Sequence, residues 1–476
     1  MLFNSLDFAV FLPVAFAVYW LLGHRVRWQN GFVVAASYLF YGWWDWRFLL
    51  LIAFTTLCSY ASGIAMQRGR WRKLFLWANI VLNLLILCIF KYYDFFAQSF
   101  ADLFLGGRAD GLLLHLVLPV GISFYTFQAL SYSIDVYRGK ISPTRDIVAF
   151  FAYVSFFPQL VAGPIERATS LLPQFEQPRK MDYRQCVDGL RQMLWGFFKK
   201  MVVADSCALY VDQIFAHPAW FNSTTLLLAA VLFSIQIYGD FSGYSDIAIG
   251  CAKLFGISLR RNFNVPYFSR DIAEFWRRWH ISLTTWFRDY IYIPLGGSRV
   301  GKGRVVLNTF VIFLVSGLWH GANWTFVAWG AYHALLFLPL ILLGRNRRHT
   351  DTVAAGRALP TLLELGQMLL TFLLAAIGWV MFRADSIEGA FAYYRLMFGG
   401  LFEGGAPTIT APIDAWAVGI GVVLMTVVEW LNRGEAHEFC RQPRFRALRW
   451  AGYVAIIFLI GAFMVTNEMP FIYFQF

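Results

Sequence analysis

Charged residues are scarce in this sequence. Only 14% of its 476 residues are Asp, Glu, Lys or Arg, whereas 59% are hydrophobic and 19% are aromatic. A soluble protein of this length carries about a quarter charged residues to cover its surface. The mean hydropathy is +0.55. The missing polar surface argues against an ordinary soluble enzyme and predicts a protein whose outer surface lies largely in lipid.

Cysteine pairs and common catalytic motifs are also lacking. The six cysteines are scattered, and the sequence has no CxxC, HExxH or GxSxG pattern and no metal-ligand cluster. Gly296 to Gly303 nearly spells a P-loop, but Gly303 stands where Ser or Thr is required and no buried strand precedes the segment. We therefore expect no disulfide framework, no metal, no NTPase site and no permanently bound cofactor.

Apolar stretches recur along the chain without a long polar linker, which favours one integral-membrane domain over residues 1–476. The first, Leu6 to Gly23, has no basic segment before it and no small-residue cleavage site after it, so we expect a retained helix. With 147–163 and 190–215 taken as spans, re-entrant segments or interfacial helices, the pattern predicts an all-α polytopic protein with about 11 to 13 such helices. The clear stretches lie near 6–23, 31–43, 48–66, 74–90, 112–134, 225–251, 305–320, 324–343, 361–381, 413–431 and 450–467.

The positions of the basic residues explain the net charge of +12. Lysine and arginine favour cytoplasmic loops. In a topology with the N-terminus outside the cytoplasm and residues 164–200 inside it, five of the 40 lysines and arginines fall in outer loops. They are Arg47, Lys91, Arg108, Arg383 and Arg395. The charge is therefore mainly a topology signal, which predicts two extracytoplasmic termini, membrane lipid as a partner and no nucleic acid.

The longest basic interruption covers residues 253–304, where aromatic residues alternate with arginines that include Arg277 and Arg278. Rings at headgroup depth with outward guanidinium groups are typical of a membrane interface. One interpretation is anchoring to anionic lipid. The other is a binding site for a polyanionic cytoplasmic cosubstrate such as coenzyme A, because arginine binds phosphate well.

Two of the eight histidines stand out by their neighbours. His320 ends an apolar stretch within LVSGLWHGANW, and His280 lies in RRWHIS inside the basic segment. A titratable ring at membrane depth is costly unless it faces a cavity or a partner, and neutral imidazole can act as a general base near pH 7. A structural, hydrogen-bonded role is the alternative for either one.

Two carboxylates, Asp240 and Asp246, interrupt the apolar stretch 225–251. Each would cost roughly 2.5–3.5 kcal/mol near the middle of a bilayer. Gln236, Asp240 and Tyr244 are four residues apart, so they share a helix face. The carboxylates therefore predict a wet cavity or a buried partner, and pairing with Arg277 or Arg278 is as plausible as contact with a substrate.

These segments resemble the membrane-bound O-acyltransferases. The paired signature is Phe275 to Gly297 followed by SGLWHGANW (Ser316 to Trp324), and its two histidines are 40 positions apart. FPQLVAGPIER, YGDFSGYSDIAIG, the opening MLFNSLDFAVFLPV and the tail PFIYFQF extend the resemblance along the chain, and the last two are similar to the bacterial alginate O-acetyltransferase branch.

The resemblance implies a multi-pass enzyme of the bacterial inner membrane, with helices in a ring around a tunnel. It implies that His320 is catalytic and His280 a second required residue. Acetyl-CoA is the implied acyl donor, and the acceptor is a periplasmic acetyltransferase partner or a polysaccharide such as alginate or cellulose. Further candidates for substrate contact are Asp240, Tyr244, Asp246, Arg277, Arg278, Trp319 and Asn323.

Two alternatives remain open at the level of the sequence. A D-alanyl transfer protein of teichoic acid synthesis shares both motifs but takes its acyl group from a carrier protein. A proton-coupled transporter would use the buried carboxylates and histidines as a relay, but the internal repeat that many transporters have is not visible. The tail and the net charge of +12 favour the acetyltransferase.

Overall fold

The structure is a computed structural model that describes residues 1–107, 109, 111–160, 163–401, 405–407, 415–441, 443–464 and 471–472, without the side chains of 68, 415 and 417. The outer-loop residue Arg108, positions 161–162 of the FPQLVAGPIER motif, most of the tail motif and the C-terminus therefore lie outside the described residues.

Helices account for all the regular structure in this part of the chain. Within the described residues, seven helical stretches are long and apolar enough to cross a membrane, and the shorter helices Leu6–Leu21 and Val418–Leu431 are also apolar. The predicted all-α polytopic fold is confirmed. The seven stretches are Arg47–Ala65, Arg72–Phe104, Ser223–Leu254, Lys302–His320, Trp324–Leu342, Leu362–Arg383 and Arg446–Phe463.

The chain divides into two compact units, the first formed by Met1–Leu190 with Ala248–Arg260. Its first helix is capped by Ser5, whose Oγ accepts from the amide of Phe8 at 3.3 Å. Besides the start of Tyr183–Phe197 and the end of Ser223–Leu254, its helical segments are Leu6–Leu21, Val26–Gly42, Arg47–Ala65, Met66–Arg68, Arg72–Leu87, Cys88–Tyr92, Tyr93–Phe104, Ile122–Tyr137, Ile147–Ser155, Phe157–Leu160 and Ala168–Glu176.

One predicted stretch of this unit differs from the structure, and one that was left open is resolved by it. The stretch 112–134 becomes helical only at Ile122. Pro119 cannot continue a helical hydrogen-bond pattern, and Gly121 adopts a φ of 75° that favours glycine. The ambiguous stretch 147–163 forms the short helices Ile147–Ser155 and Phe157–Leu160, and neither is long enough to span a bilayer.

The second unit consists of Arg191–Ile247 with Arg261–Phe476. It contains most of the basic segment and both singled-out histidines. Besides parts of Tyr183–Phe197 and Ser223–Leu254, its helical segments are Phe198–Ala204, Asp205–Ala216, Pro218–Trp220, Pro266–Phe268, Ile272–Arg278, Ile281–Phe287, Arg288–Tyr292, Lys302–His320, Trp324–Leu342, Leu362–Arg383, Ile387–Gly399, Ala415–Leu431 and Arg446–Phe463.

A tight hairpin in this unit places the WHG motif. The helix Lys302–His320 ends at His320, and Trp324–Leu342 starts after only three residues. Gly317 and Gly330 face the partner helix so closely that a Cβ at either position would collide with a backbone carbonyl, of Phe326 and Phe313 respectively. Small residues permit such backbone approach between membrane helices. The hairpin thus fixes His320 at a sharp turn.

Candidate functional site

The structure brings His280 and His320 together in the second unit. Their ring centroids are 6.4 Å apart and the ring planes are inclined by 55°. The residues are only 1% and 3% exposed. His320 is the last residue of Lys302–His320, and His280 immediately precedes the helix Ile281–Phe287. The motifs singled out in the sequence therefore form one buried histidine pair.

Aromatic side chains surround His320. The ring centroids of Trp329 and Phe382 lie 5.2 Å and 5.4 Å from that of His320, both in edge-on contact. Trp319, which is 4% exposed, lies 5.0 Å from His320 and 6.0 Å from His280. This surrounding shell limits access of water to His320. Because Trp319 lies near both rings, it shapes the space beside both histidines.

His280 has an unusual backbone and an apolar environment. Its φ of 43° and ψ of 56° lie in the left-handed region, which is costly for a residue with a side chain. Phe241 packs perpendicular to the imidazole at 4.7 Å. Burial lowers the pKa of His280 from its usual 6.5 to about 3. The ring is therefore neutral at physiological pH.

The two carboxylates on Ser223–Leu254 are paired with lysines. Lys200 Nζ lies 2.7 Å from Asp240 Oδ1, and Lys199 forms an ion pair with Asp246. Gln192 also donates to Asp246 at 2.8 Å. The arginine pairing considered from the sequence is wrong. The missed signal was the Lys199–Lys200 doublet, which follows an apolar run in WGFFKK.

Tyr244 belongs to the same buried face as Asp240. It is 1% exposed, its ring centroid lies 4.6 Å from that of Phe471, and Lys200 Nζ lies 5.6 Å from its ring. The amide of Ile472 donates to Asp240 Oδ2 at 2.7 Å. Asp240 therefore binds both Lys200 and the backbone of Ile472 in the described part of the tail.

Arg277 and Arg278 both contact the loop that follows Trp324–Leu342. Arg277 is exposed and donates to the carbonyls of Asn346 and His349. Arg278 is 6% exposed and bonds Glu274 and the carbonyl of Asp351, at 2.8 Å and 2.9 Å. The burial of Arg278 gives it a structural role, whereas Arg277 remains accessible to an anion.

Asn323 is a helix cap. Its Oδ1 accepts from the amide of Thr325 at 3.0 Å, and its Nδ2 donates to the carbonyl of Asp385 at 2.8 Å. These bonds tie the three-residue turn after His320 to the end of Leu362–Arg383. Asn323 therefore supports the position of the WHG turn. These two hydrogen bonds explain why an asparagine stands at this position.

One polar residue of the site was not anticipated. Asn262 is 0% exposed, and its Oδ1 lies 3.1 Å from His280 Nδ1. It belongs to an irregular stretch between Ser223–Leu254 and Pro266–Phe268, and nothing in its sequence context sets it apart from the neighbouring polar residues.

The chain is similar to known O-acetyltransferases. The chain is 42% identical over 406 residues to the probable alginate O-acetylase AlgI of Pseudomonas aeruginosa, covering 84% of this chain and 75% of that protein. It is 34% identical over 432 residues to a peptidoglycan O-acetyltransferase of Helicobacter pylori, covering 84% and 80%. A teichoic acid D-alanyltransferase of Bacillus subtilis is 29% identical over 233 residues, covering 47% of this chain and 58% of that protein.

The family comparison includes both histidine motifs. The sequence profile of MBOAT, the membrane-bound O-acyltransferase family, matches residues 39–374, which contain His280, His320 and the hairpin that follows the basic segment. Together with the multi-pass helical fold and the relatives above, this match shows that the chain belongs to the membrane-bound O-acyltransferase family.

Proposed function

We propose that this O-acyltransferase takes acetyl from acetyl-CoA at the cytoplasmic face of the bacterial inner membrane and passes it outward for O-acetylation of an exported polysaccharide such as alginate or cellulose. The buried pair of His280 and His320, with ring centroids 6.4 Å apart, carries the proposal. The names of the relatives support O-acetyl transfer to a cell-envelope or exported polymer.

His320 is the general base in this proposal. As the acceptor hydroxyl oxygen attacks the thioester carbonyl carbon, His320 takes the hydroxyl proton. The new C–O bond forms, the C–S bond breaks, and the proton passes to the departing thiolate, which leaves as a thiol. A positioned base contributes about 10²–10⁴-fold. The aromatic shell of Trp329 and Phe382 holds reactants together and limits competing hydrolysis.

The cytoplasmic face binds the donor in this proposal. Arg277 is exposed, as are Arg299, which precedes the helix Lys302–His320, and Lys302 and Arg304 in the first turn of that helix. Their charges suit the phosphates of coenzyme A. Only the acetyl-bearing arm then has to extend along the tunnel towards His320. A periplasmic acetyltransferase partner or the polysaccharide itself receives acetyl from the other side, where both chain termini lie.

The alternatives have weaker support. The teichoic acid D-alanyltransferase covers 47% of this chain, whereas both named O-acetyl relatives cover 84%. For a proton-coupled transporter, the buried carboxylates would have to exchange protons freely. Asp240 and Asp246 instead form close ion pairs with Lys200 and Lys199.

Labelled acetyl-CoA and oriented membrane vesicles test the proposal. Donor should support transfer only when it is added to the cytoplasmic face, and label should accumulate only on acceptor at the opposite face. His320→Gln vesicles are the control for chemistry, because glutamine keeps a polar side chain but cannot take the proton. Label on a cytoplasmic product, or uptake of solute without acyl transfer, would contradict the proposal.

A further inference from the structure

The backbone around Asn262 is bound to the segment that carries His280. The amide of Ile281 donates to the carbonyl of Asn262 at 2.8 Å, and the amide of Asn264 donates to the carbonyl of Arg278 at 2.9 Å. The two segments therefore support each other on either side of His280. A residue with a side chain keeps a left-handed backbone only where the surrounding structure holds it in this way.

The side-chain amide of Asn262 has a defined orientation. One of its atoms lies 3.3 Å from the backbone nitrogen of Ser282 and 2.9 Å from Ser282 Oγ. A backbone N–H can only donate, so this atom is the carbonyl Oδ1 and not the NH₂ group. The amide nitrogen, in turn, donates to Ser245 Oγ at 3.2 Å. Asn262 thus bridges two serines in one orientation.

The same Oδ1 determines which nitrogen of His280 carries the proton. It lies 3.1 Å from His280 Nδ1 and cannot donate, so Nδ1 must carry the hydrogen. A neutral imidazole has one N–H and one lone pair, and the lone pair is then on Nε2. Among the described residues Nε2 has no hydrogen-bond partner, although His280 is 1% exposed.

We propose that Asn262 is a positioning residue that holds His280 as the Nδ1–H tautomer, so that His280 Nε2 accepts a hydrogen bond from a hydroxyl or amide N–H of the substrate. This inference rests on the proposed acyl transfer for its functional part. In the part of the chain that the structure describes, the rings of Phe241, Phe263, Trp319 and His320 lie around His280, and of these four only His320 is titratable. With its only hydrogen directed at Asn262, neutral His280 cannot donate to an oxyanion.

The tautomer can be measured without any substrate. In protein labelled with ¹⁵N on the histidine rings, reconstituted in lipid, the His280 resonances (assigned by their loss in His280→Gln) should show a protonated Nδ1 and an unprotonated Nε2 at pH 7. In Asn262→Leu this preference should be lost. An Nε2–H tautomer in the unaltered protein would overturn the assignment, whether or not the protein transfers acetyl.

Kinetics test the functional part. Asn262→Leu should lower kcat by at least about 10²-fold, as expected when a histidine loses its correct tautomer, with a smaller change in KM for acetyl-CoA. Asn262→Asp still accepts from Nδ1–H and should restore much of kcat. The added negative charge raises the pKa of His280, so activity should now fall with decreasing pH at a higher pH than in the unaltered enzyme.

Asn79 provides a matched control. It is 3% exposed and also bridges two serines, accepting from Ser59 Oγ at 3.2 Å and donating to Ser133 Oγ at 2.7 Å. Asn79→Leu and Asn79→Asp should lower stability without moving the pH profile or the His280 resonances. If Asn262→Asp behaved like Asn262→Leu, with the pH profile unmoved, Asn262 would be a packing residue only. If the tautomer were confirmed but acetyl transfer were absent, only the proposed function would fail.

Discussion

Lys200 and Asp240 form a buried ion pair with Nζ and Oδ1 2.7 Å apart, and their side chains are 2% and 3% exposed. Lys200 Nζ also lies 2.7 Å from Asp205 Oδ1. Removing the cation would leave two carboxylates buried without it, which is more damaging than losing an attraction in water.

Lys200→Met should therefore lower the free energy of unfolding by about 3–5 kcal/mol. The measurement is the thermal midpoint of the detergent-solubilised protein, followed by fluorescence-detected size exclusion. Combining Lys200→Met with Asp240→Asn and Asp205→Asn should recover much of the loss. Arg288→Met removes a half-exposed ion pair with Asp289 and should change stability by less than about 1 kcal/mol. Equal losses in Lys200→Met and Arg288→Met would contradict this account.

The sequence was informative wherever a local pattern decides the structure. The apolar stretch 225–251 predicted the helix Ser223–Leu254 to within three residues at each end, because length and hydropathy alone define a spanning helix. The stretch 112–134 failed because Pro119 and Gly121 within it determine where the helix begins. Proline and glycine are visible in a sequence, but a stretch that is assigned by its average hydropathy gives them little weight.

Partners that are distant in sequence could not be predicted in the same way. Asp240 was predicted to need a buried partner. The partner is Lys200, 40 positions earlier in the chain, whereas the sequence analysis considered Arg277 and Arg278. Asn262 carried no signal at all, since one polar residue in a basic segment is unremarkable until its distance to His280 is known. His280 and His320 were each singled out from the motifs around them and from the resemblance to a family, but their proximity, with ring centroids 6.4 Å apart, became visible only in the structure.

His320→Gln and His320→Ala should abolish acetyl transfer, with a loss of at least about 10²-fold, because neither side chain can take the hydroxyl proton. Expression and the size-exclusion profile should stay unchanged. His217→Gln is a suitable control, because His217 is exposed and stacks on Trp220 at 4.0 Å. Substantial activity in His320→Gln would show that another group is the base. His280→Ala should also be severe, with effects on donor binding or packing as well as on rate.

Arg277 and Arg278 should respond differently to substitution. Arg277→Gln should raise KM for acetyl-CoA, increasingly so at high salt, and lower the thermal midpoint less than Arg278→Gln does, because Arg277 is exposed and bonds only loop carbonyls. Arg278→Gln should lower the thermal midpoint, because buried Glu274 would lose one of its two arginines and keep only Arg270. An unchanged KM in Arg277→Gln across a salt series would remove this residue from the donor site.

Topology follows from the distribution of lysine and arginine. Reporter fusions at residues 69, 350 and 440 should report a cytoplasmic location, and fusions at 105, 400 and the C-terminus an extracytoplasmic one. Phosphatase and fluorescent-protein reporters should give opposite signals at each position, which guards against misfolded fusions. A cytoplasmic C-terminus would require a different number of membrane crossings.

The glycines of the WHG hairpin should be intolerant of even one added methyl group. A Cβ on Gly317 would overlap the carbonyl oxygen of Phe326 in the neighbouring helix, so Gly317→Ala must separate the two helices near His320. We expect a lower thermal midpoint and a loss of acetyl transfer, with donor binding less affected, because the displaced residue, His320, is the proposed base. Gly303 is the second residue of the same helix and has open space around its Cβ position. Gly303→Ala should therefore be neutral or stabilising by about 0.5–1 kcal/mol. If both variants behaved alike, the close approach at Gly317 would not be what positions His320.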